Sequence, residues 1–424
     1  MSRSGWFGKQ QSMPVTDGTA PAKRTWRPVR AVVRPFKGRG AALTASSAAL
    51  VLAAGVMIVA FASPKSHAAP VSAAQRSVPR QPAAALQVLS VTPAAGARGV
   101  NGANPIRVQF SAPLAASTPM PQLSPQIPGS WQIEGDTAVF TPTTGYFLNT
   151  RVTLKIPGGP TGMISVGGVS AGAGGLLDSG VTQSFTTGPF STLRLQELLA
   201  QLGYLPLTWT PTSPSVSNPG SANAEVSAAY RPPAGTFTWQ SGYPRELTDQ
   251  WSAGTGNMLD VGAIRAFESV HGLTMDGYAG QAVWADLLTA VMKGQRNPNG
   301  YTYALADQNQ PESITIWHDG HVVLTSPVNT GIPESPTVDG TFPVYLRFYF
   351  TYMQGTNPDG SHYDDPVWYV SYFNGGDAVH YFPRGGYGYN QSLGCVELPW
   401  DEAARAYPYL TYGSLVTVIG PVGG

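Results

Sequence analysis

A single cysteine and an upstream histidine are the residues in this sequence best suited to chemistry. Cys395, the only cysteine in 424 residues, lies 15 positions after His380. A free thiol has a pKa of about 8.5 and is mostly protonated near neutral pH, but a neighbouring imidazole that takes its proton leaves a strong nucleophile. The pair predicts nucleophilic catalysis with Cys395 as the nucleophile and His380 as the general acid/base. The alternative is that Cys395 is only a small buried hydrophobic residue.

The residues around this pair extend the predicted site. Gly394 allows close approach of the backbone to a substrate carbonyl, and its amide is a candidate oxyanion-hole donor. The residues predicted to contact substrate are Tyr381, Arg384, Tyr387, Tyr389 and Glu397. Ordinary loop packing is the alternative for the tyrosines and Arg384, and a solvated or structural carboxylate is the alternative for Glu397.

The elements that position these residues are predicted to be mainly β-strands. Ile314–Trp317 and Val322–Thr325 flank His318-Asp319-Gly320-His321, and Asp-Gly is a strong signal for a two-residue hairpin turn. Residues 400–409 are predicted to form a short helix beside the nucleophile, and Leu415–Ile419 a closing strand.

The histidines also raise the question of a metal site. His318 and His321 form an HxxH pair, but the metal-binding HExxH motif uses a helix to bring both rings to one face, and no helix is plausible in this turn. Two solvated turn histidines are the simpler interpretation. A zinc peptidase that used His318, His321, His362 and His380 is a weaker alternative, because these spacings match no common ligand set. We therefore predict no metal and no cofactor.

The cysteine motif resembles the signature of the L,D-transpeptidase catalytic domain, which is a β-sandwich with a Cys–His pair. The resemblance covers about residues 298–424 and includes Pro327–Gly331 and Thr337–Phe342. The family pattern places Ser or Thr, His and Gly before the cysteine, so Ser392 is expected to support the site. Leu393 replaces the family's second histidine, and Glu397 replaces an Asn or Arg.

This resemblance implies an activity. Cys395 would form a thioester with the third residue of a peptidoglycan stem tetrapeptide and release D-Ala, and a second stem's amine would then complete a 3→3 cross-link. The resemblance also implies acylation by carbapenems. Alternatives are an L,D-carboxypeptidase, in which water resolves the thioester, and a non-catalytic wall-binding scaffold, suggested by Leu393 and Glu397.

Residues 189–297 have the spacing of a small helical module. Apolar residues recur at helical intervals in 195–202, 261–273 and 283–288. The segments resemble the three-helix peptidoglycan-binding module, which implies stem peptides and glycan as partners. Residues 210–254 interrupt the module and are predicted to be a surface loop with a short hairpin at Thr236–Trp239.

Residues 86–188 alternate short β-type runs with turns rich in glycine and proline. The predicted strands are Leu86–Val91, Ile106–Phe110, Thr137–Phe140, Arg151–Ile156 and Val181–Phe185. This pattern predicts a small antiparallel sandwich, loosely resembling Ig-like modules of bacterial wall proteins. The fold class is therefore multidomain and mainly β, and 49 Gly and 38 Pro residues argue against a helical bundle.

The N-terminal region predicts membrane attachment. Residues 1–40 carry nine basic groups and one acid, and residues 41–62 form an uncharged run long enough to span a bilayer. We expect a cytoplasmic N-terminus, a single-pass anchor, a linker over 63–85 and a catalytic domain facing the cell wall. Secretion after signal cleavage is the alternative. The remaining chain is mildly acidic, which argues against nucleic-acid binding, and the oligomeric state is not predicted.

Overall fold

The computed structural model describes residues 84–166, 175–212 and 220–420. The predicted basic segment 1–40, the anchor 41–62 and all but the last two residues of the linker 63–85 lie outside these ranges. Within the described ranges, no helix is both long and apolar enough to cross a membrane.

Residues 86–188 form a sandwich of two antiparallel sheets, as predicted. The strands are β1 (Val88–Thr92), β2 (Ile106–Phe110), β3 (Gln122–Ser124), β4 (Gly129–Glu134), β5 (Thr137–Pro142), β6 (Arg151–Ile156) and β7 (Val181–Thr186), with a short 3-10 helix at Gly159–Thr161. The sheet orders are β1-β2-β5-β4 and β3-β6-β7. In β2 every second side chain is buried, as a strand with one face on a core requires.

Residues 189–297 contain the three predicted helices and four further elements. They are α1 (Thr192–Gln201), β8 (Leu207–Pro211), α2 (Ala222–Tyr230), β9 (Gly235–Trp239), α3 (Arg245–Thr248), α4 (Met258–His271) and α5 (Gln281–Met292). A capping box starts α4: Asn257 Oδ1 accepts from the Asp260 amide, and Asp260 Oδ2 accepts from the Asn257 amide. Gly272 ends α4 in the left-handed conformation.

The insert over residues 210–254 is not the surface loop that its composition suggests. Strand β9 pairs with β8 in a two-stranded sheet, and α2 buries Val226 and Ala229 in the same core as α1, α4 and α5. Leu247 of α3 is also fully buried. A few well-spaced apolar side chains are enough to fold the segment onto the module, because each reaches a surface that the helices leave open.

Residues 302–419 form a second β-sandwich. Its elements are β10 (Thr302–Asp307), β11 (Ser313–His318), β12 (His321–Pro327), β13 (Gly340–Pro343), β14 (Leu346–Thr356), β15 (His362–Asn374), β16 (Asp377–Tyr381), β17 (Val396–Leu398), α6 (Trp400–Ala406) and β18 (Leu415–Ile419). The sheet orders are β12-β11-β10-β18-β13 and β14-β15-β16-β17. The predicted hairpin turn is confirmed, with positive φ angles of 46° at Asp319 and 79° at Gly320.

Candidate active site

Two parallel strands bring the predicted catalytic pair to one face of a sheet. In β16 and β17, Val379 lies opposite Val396 and His380 opposite Glu397. Cys395 immediately precedes β17. Directly opposite residues point to the same side of a sheet, so His380, Cys395 and Glu397 share a face. His380 and Cys395, which are 15 residues apart in sequence, therefore lie diagonally opposite each other on neighbouring strands.

This face forms the floor of a cleft of about 460 Å³. Predicted residues that line it are His380, Arg384, Cys395 and Glu397. The long β14–β15 hairpin supplies much of one wall. Its contributions include Tyr352, Met353, Tyr363, Asp365 and Tyr372.

The His380 ring is held in one tautomer by the backbone. The side chain is 2% exposed, and Nδ1 lies 2.9 Å from the carbonyl oxygen of Tyr381. A carbonyl only accepts, so Nδ1 carries the hydrogen and Nε2 keeps its lone pair. Nε2 is buried and has no hydrogen-bond partner among the described residues. Burial lowers the pKa of His380 to about 4, so the ring is a neutral base at physiological pH.

Cys395 is a partly exposed free thiol at the cleft. Its Sγ lies 3.9 Å from Met353 Sδ and 3.9 Å from the carbonyl oxygen of Gly376. Burial raises the pKa of the Cys395 thiol to about 12; the negative charges of Asp377 and Glu397 add to the rise. The cleft lining therefore includes both a neutral thiol and a neutral imidazole.

The turn before Cys395 is fixed by Ser392. Ser392 Oγ donates to the carbonyl oxygen of Cys395 at 2.6 Å and accepts from the amide of Gly394 at 3.2 Å. Gly394 has a φ of 116°, and a Cβ there would lie 2.4 Å from Asp377 Oδ1. Only glycine fits this turn. The Gly394 amide is already engaged, so in this state it is not the free oxyanion donor that the sequence predicts.

The segment Pro327–Gly331 supports this turn from the side. Asn329 and Glu397 exchange backbone hydrogen bonds of 3.0 and 2.9 Å, and Gly331 bridges to Ser392. The buried carboxylate of Glu312 accepts from the amide and the hydroxyl of Thr330. The turn that carries Cys395 is thus held by backbone and side-chain hydrogen bonds from two directions.

Arg384 and Glu397 form an ion pair in the cleft wall. Arg384 Nε donates to Oε2 and Nη2 to Oε1, each at 2.7 Å. Both carboxylate oxygens of Glu397 are thereby occupied, which leaves the carboxylate poorly placed for the substrate amine that the sequence suggested. The Glu397 hydrogen bonds raise the pKa of the Arg384 guanidinium further.

Three of the predicted substrate-binding residues lie elsewhere. Tyr381 packs edge-on against Trp400 at 4.8 Å between ring centroids, and Tyr387 donates to the carbonyl oxygen of Phe382. Tyr389 is exposed, and none of the three tyrosines lines the cleft. Alternation along β16 explains Tyr381, since its side chain points away from the face that carries His380.

Sequence reasoning missed Met353, Tyr372 and Asp377. Asp377 lines the cleft beside Gly394, and burial raises its pKa to about 6. The signal that was available is the aromatic run 348–352 followed by the polar loop 357–361, which marks a long hairpin that can reach over the site.

The histidines of the weaker zinc alternative are scattered. His318 and His321 lie at the ends of the β11–β12 turn, and His362 is exposed at the start of β15. Among the described residues, no group of three or more His, Cys, Asp or Glu side chains is arranged to hold a metal ion.

Comparisons with known proteins assign two parts of the chain. Residues 301–418 match the family model of the L,D-transpeptidase catalytic domain, and residues 82–187 match the bacterial Ig-like domain. Neither match covers residues 189–297, so the peptidoglycan-binding resemblance stays a prediction. A search of curated proteins found no match.

Solved structures similar to this chain include several L,D-transpeptidases. One from Mycobacterium smegmatis has 17% identity and a TM-score of 0.27, covering 79% of this chain and 99% of that chain. L,D-transpeptidase 3 from Mycobacterium tuberculosis has 15% identity and a TM-score of 0.27, covering 78% and 98%. The catalytic domain from E. faecium has 27% identity and a TM-score of 0.26, covering 28% and 96%.

These TM-scores are too low to support an argument. The family assignment therefore rests on the family model that matches residues 301–418 and on the cysteine motif. Residues 301–418 belong to the L,D-transpeptidase catalytic-domain family, and the enzyme is an L,D-transpeptidase.

Proposed function

We propose that the enzyme forms 3→3 peptidoglycan cross-links through a thioester on Cys395. The observation that carries this proposal is the shared cleft, which holds a thiol, a neutral imidazole with a free Nε2 and a guanidinium. These three groups are sufficient to activate a nucleophile, move its proton and bind an anionic peptide end.

In the first step Sγ of Cys395 attacks the carbonyl of the diamino acid at position three of a tetrapeptide stem. The thiol proton passes to Nε2 of His380, the C–N bond to D-Ala breaks, and the imidazolium returns the proton to the leaving amine. In the second step a side-chain amine of another stem attacks the thioester. The new C–N bond forms, the C–S bond breaks, and His380 returns the amine's proton to sulfur.

Arg384 is the residue that binds the donor stem's terminal carboxylate. It is the only Arg or Lys among the described residues that line the cleft. Glu397 takes two of its five N–H donors, and the others remain for a second carboxylate. Glu397, which stands where the family has Asn or Arg, therefore orients the Arg384 guanidinium. It does not bind the acceptor amine.

Residues 189–297 bind the wall, and this proposal is independent of the chemistry. Support comes from the three helices that follow the spacing of the peptidoglycan-binding module. Pull-down of the enzyme with purified sacculi tests it, with a variant that lacks residues 189–297 as the comparison. Equal recovery of both proteins would remove the binding role.

Residues 41–62 anchor the enzyme in the cell membrane, with the catalytic domain facing the wall. Support comes from the uncharged run and its basic flank. N-terminal sequencing of the protein isolated from cells tests the anchor, since a start at Ser63 would mean a cleaved signal and secretion.

The reaction is tested by mass spectrometry with a disaccharide tetrapeptide, with Cys395→Ala beside the native enzyme. A dimer that lacks one D-Ala, absent with the variant, is the expected product. Tripeptide alone would mean that water resolves the thioester, as in an L,D-carboxypeptidase. Unchanged substrate, together with no carbapenem adduct on Cys395, would favour the non-catalytic scaffold.

A further inference from the structure

Asp377 is a carboxylate in the catalytic cleft that the reaction described above leaves without a role. It lines the cleft and is partly buried at the start of β16. Its Oδ1 lies against Gly394, in the space that a Cβ at that position would need. Among the described residues the carboxylate has no ion-pair partner, and its only side-chain hydrogen bond is a long one of 3.4 Å, from Nδ2 of Asn374 to Oδ2.

The position of Asp377 opposes the first step of the reaction. Its negative charge raises the pKa of the Cys395 thiol and so disfavours the thiolate. Burial also disfavours the charged form of Asp377 itself, and its pKa rises to about 6. Both effects weaken when a cation lies beside the carboxylate. The geometry therefore suits a positively charged group that binds next to the nucleophile.

The other two carboxylates that line the cleft are placed differently. Glu397 has both of its oxygens bonded to Arg384. Asp365 lies on the Arg384 side of the cleft, where its charge raises the pKa of the guanidinium. That side is where the terminal carboxylate of the donor stem is proposed to bind. Among the described residues of the cleft, Asp377 is thus the carboxylate that lies near Cys395 without a cation of its own.

We propose that Asp377 binds the side-chain ammonium of the acceptor stem and holds it beside the thioester on Cys395. This inference rests on the proposed function, which supplies both the thioester and the acceptor. An aliphatic ammonium is charged at neutral pH and carries three N–H donors, which match the unused lone pairs of the carboxylate.

The bound ammonium gives the amine an advantage over water. One proton leaves the ammonium to solvent, and the amine attacks the thioester carbonyl. The C–N bond forms, the C–S bond breaks, and His380 returns the amine's proton to sulfur. Because water has no charge for the carboxylate to hold, Asp377 increases the share of thioester that ends as a cross-link.

The test uses separate donor and acceptor stems. An isotope-labelled tetrapeptide stem is the donor, and an unlabelled tripeptide stem, which has no D-Ala to release and can only accept, is varied in concentration. Mass spectrometry measures mixed dimer against labelled tripeptide, the product of hydrolysis. Asp377→Asn should raise KM for the acceptor about tenfold and increase the share of hydrolysis, because a charge-assisted hydrogen bond is lost. Release of D-Ala in a single turnover should not slow.

Three comparisons separate the binding of a cation from damage to the site. Asp377→Ser, which is smaller and removes the same charge, should reproduce the effect. Asp359→Asn, on the exposed hairpin loop, should behave as native, and Asp365→Asn should leave KM for the acceptor near its native value. Hydroxylamine, which is mostly uncharged at neutral pH, should resolve the thioester no more slowly in Asp377→Asn than in the native enzyme.

A native KM for the acceptor in both Asp377 variants overturns the inference, and so does an equal loss with hydroxylamine. Slower release of D-Ala with an unchanged acceptor KM would assign the carboxylate to the donor's own ammonium. A rise in acceptor KM only in Asp365→Asn would move the ammonium site to Asp365. A native enzyme that releases D-Ala but forms no dimer at any acceptor concentration would remove the proposed cross-linking, and this inference with it.

Discussion

Two arginine–glutamate clusters in this chain share their chemistry and differ in their surroundings. Arg194 lies in the first turn of α1 and bonds Glu197 at 2.9 Å and Glu225 of α2 at 3.0 Å, with all three side chains at most 2% exposed. Arg384 bonds Glu397 at 2.7 Å through two nitrogens, but its own side chain is 27% exposed and faces the cleft.

The difference separates a structural ion pair from one suited to binding. The Arg194 cluster is buried in the helical module beside Trp209 and ties α2 of the insert to α1. The Arg384 cluster is only partly sealed: Glu397 orients the guanidinium, and the Arg384 side chain is partly exposed and lines the cleft. Burial of the whole cluster, rather than the residue types, determines which role is possible.

The largest predicted effect is on stability, from Arg194→Ala. The change leaves two buried carboxylates without their cation, and burial already raises the pKa of Glu197. Loss of one partner of a buried pair typically costs about 3–5 kcal/mol of unfolding free energy. Denaturant unfolding measures the loss. The rate constant per folded molecule should stay native, and a fall in kcat without a loss of stability would contradict the structural assignment.

The second effect is on catalysis, from Arg384→Gln. Loss of a charge-assisted bond to the donor carboxylate is expected to cost about 1.5–3 kcal/mol, which is roughly 10- to 150-fold in kcat/KM, mainly through KM. Steady-state kinetics with a tetrapeptide stem measures it, and Glu397→Gln, which keeps the cation, should lose less. If Arg384→Gln lowered only the unfolding free energy, both clusters would be structural.

The sequence was sufficient to select His380 and Cys395, which the structure brings into one cleft, because their signal is local. Cys395, Gly394 and His380 stand within 16 residues of one another, and the pairing of β16 with β17, which the sequence did not predict, brings them together. The hairpin at His318–His321 was likewise predicted from two turn residues. Residue type and spacing were adequate to predict structure that depends on residues close together in sequence.

The rest depends on contacts between distant segments. Nothing near Glu225 indicates that it meets Arg194, and nothing near Met353 indicates that it meets Cys395, 42 positions later. The insert was interpreted as a loop because its polar composition hides the few apolar residues that reach the core. The tyrosines of the loop after His380 were assigned to the cleft by proximity in sequence, whereas side-chain direction depends on strand alternation and packing.

A smaller predicted effect concerns the charge of Asp377 and its influence on the reactivity of the Cys395 thiol. Asp377→Asn removes a charge that raises the pKa of the Cys395 thiol. The pKa of Asp377 is about 6, so the carboxylate is charged only above that pH. The variant should react with iodoacetamide about two- to tenfold faster than native above pH 7 and equally below pH 5. Asp359→Asn, on the exposed hairpin loop, is the control. A rate ratio that does not change with pH would show that the charge of Asp377 does not act on the thiol.

The smallest predicted effect is on stability, from an ion pair in which both side chains are exposed to solvent. Arg107 on β2 and Glu134 on β4 form an ion pair of 3.1 Å across β5 of the Ig-like sheet, each with a 52% exposed side chain. Water already solvates both charges, so Arg107→Ala should cost less than about 1 kcal/mol of unfolding free energy, and added salt should reduce the difference. Denaturant unfolding at low and high salt measures it against Arg194→Ala. A cost close to that of the sealed cluster would mean that burial is not what separates these pairs, and the functional assignment of Arg384 would lose its physical basis.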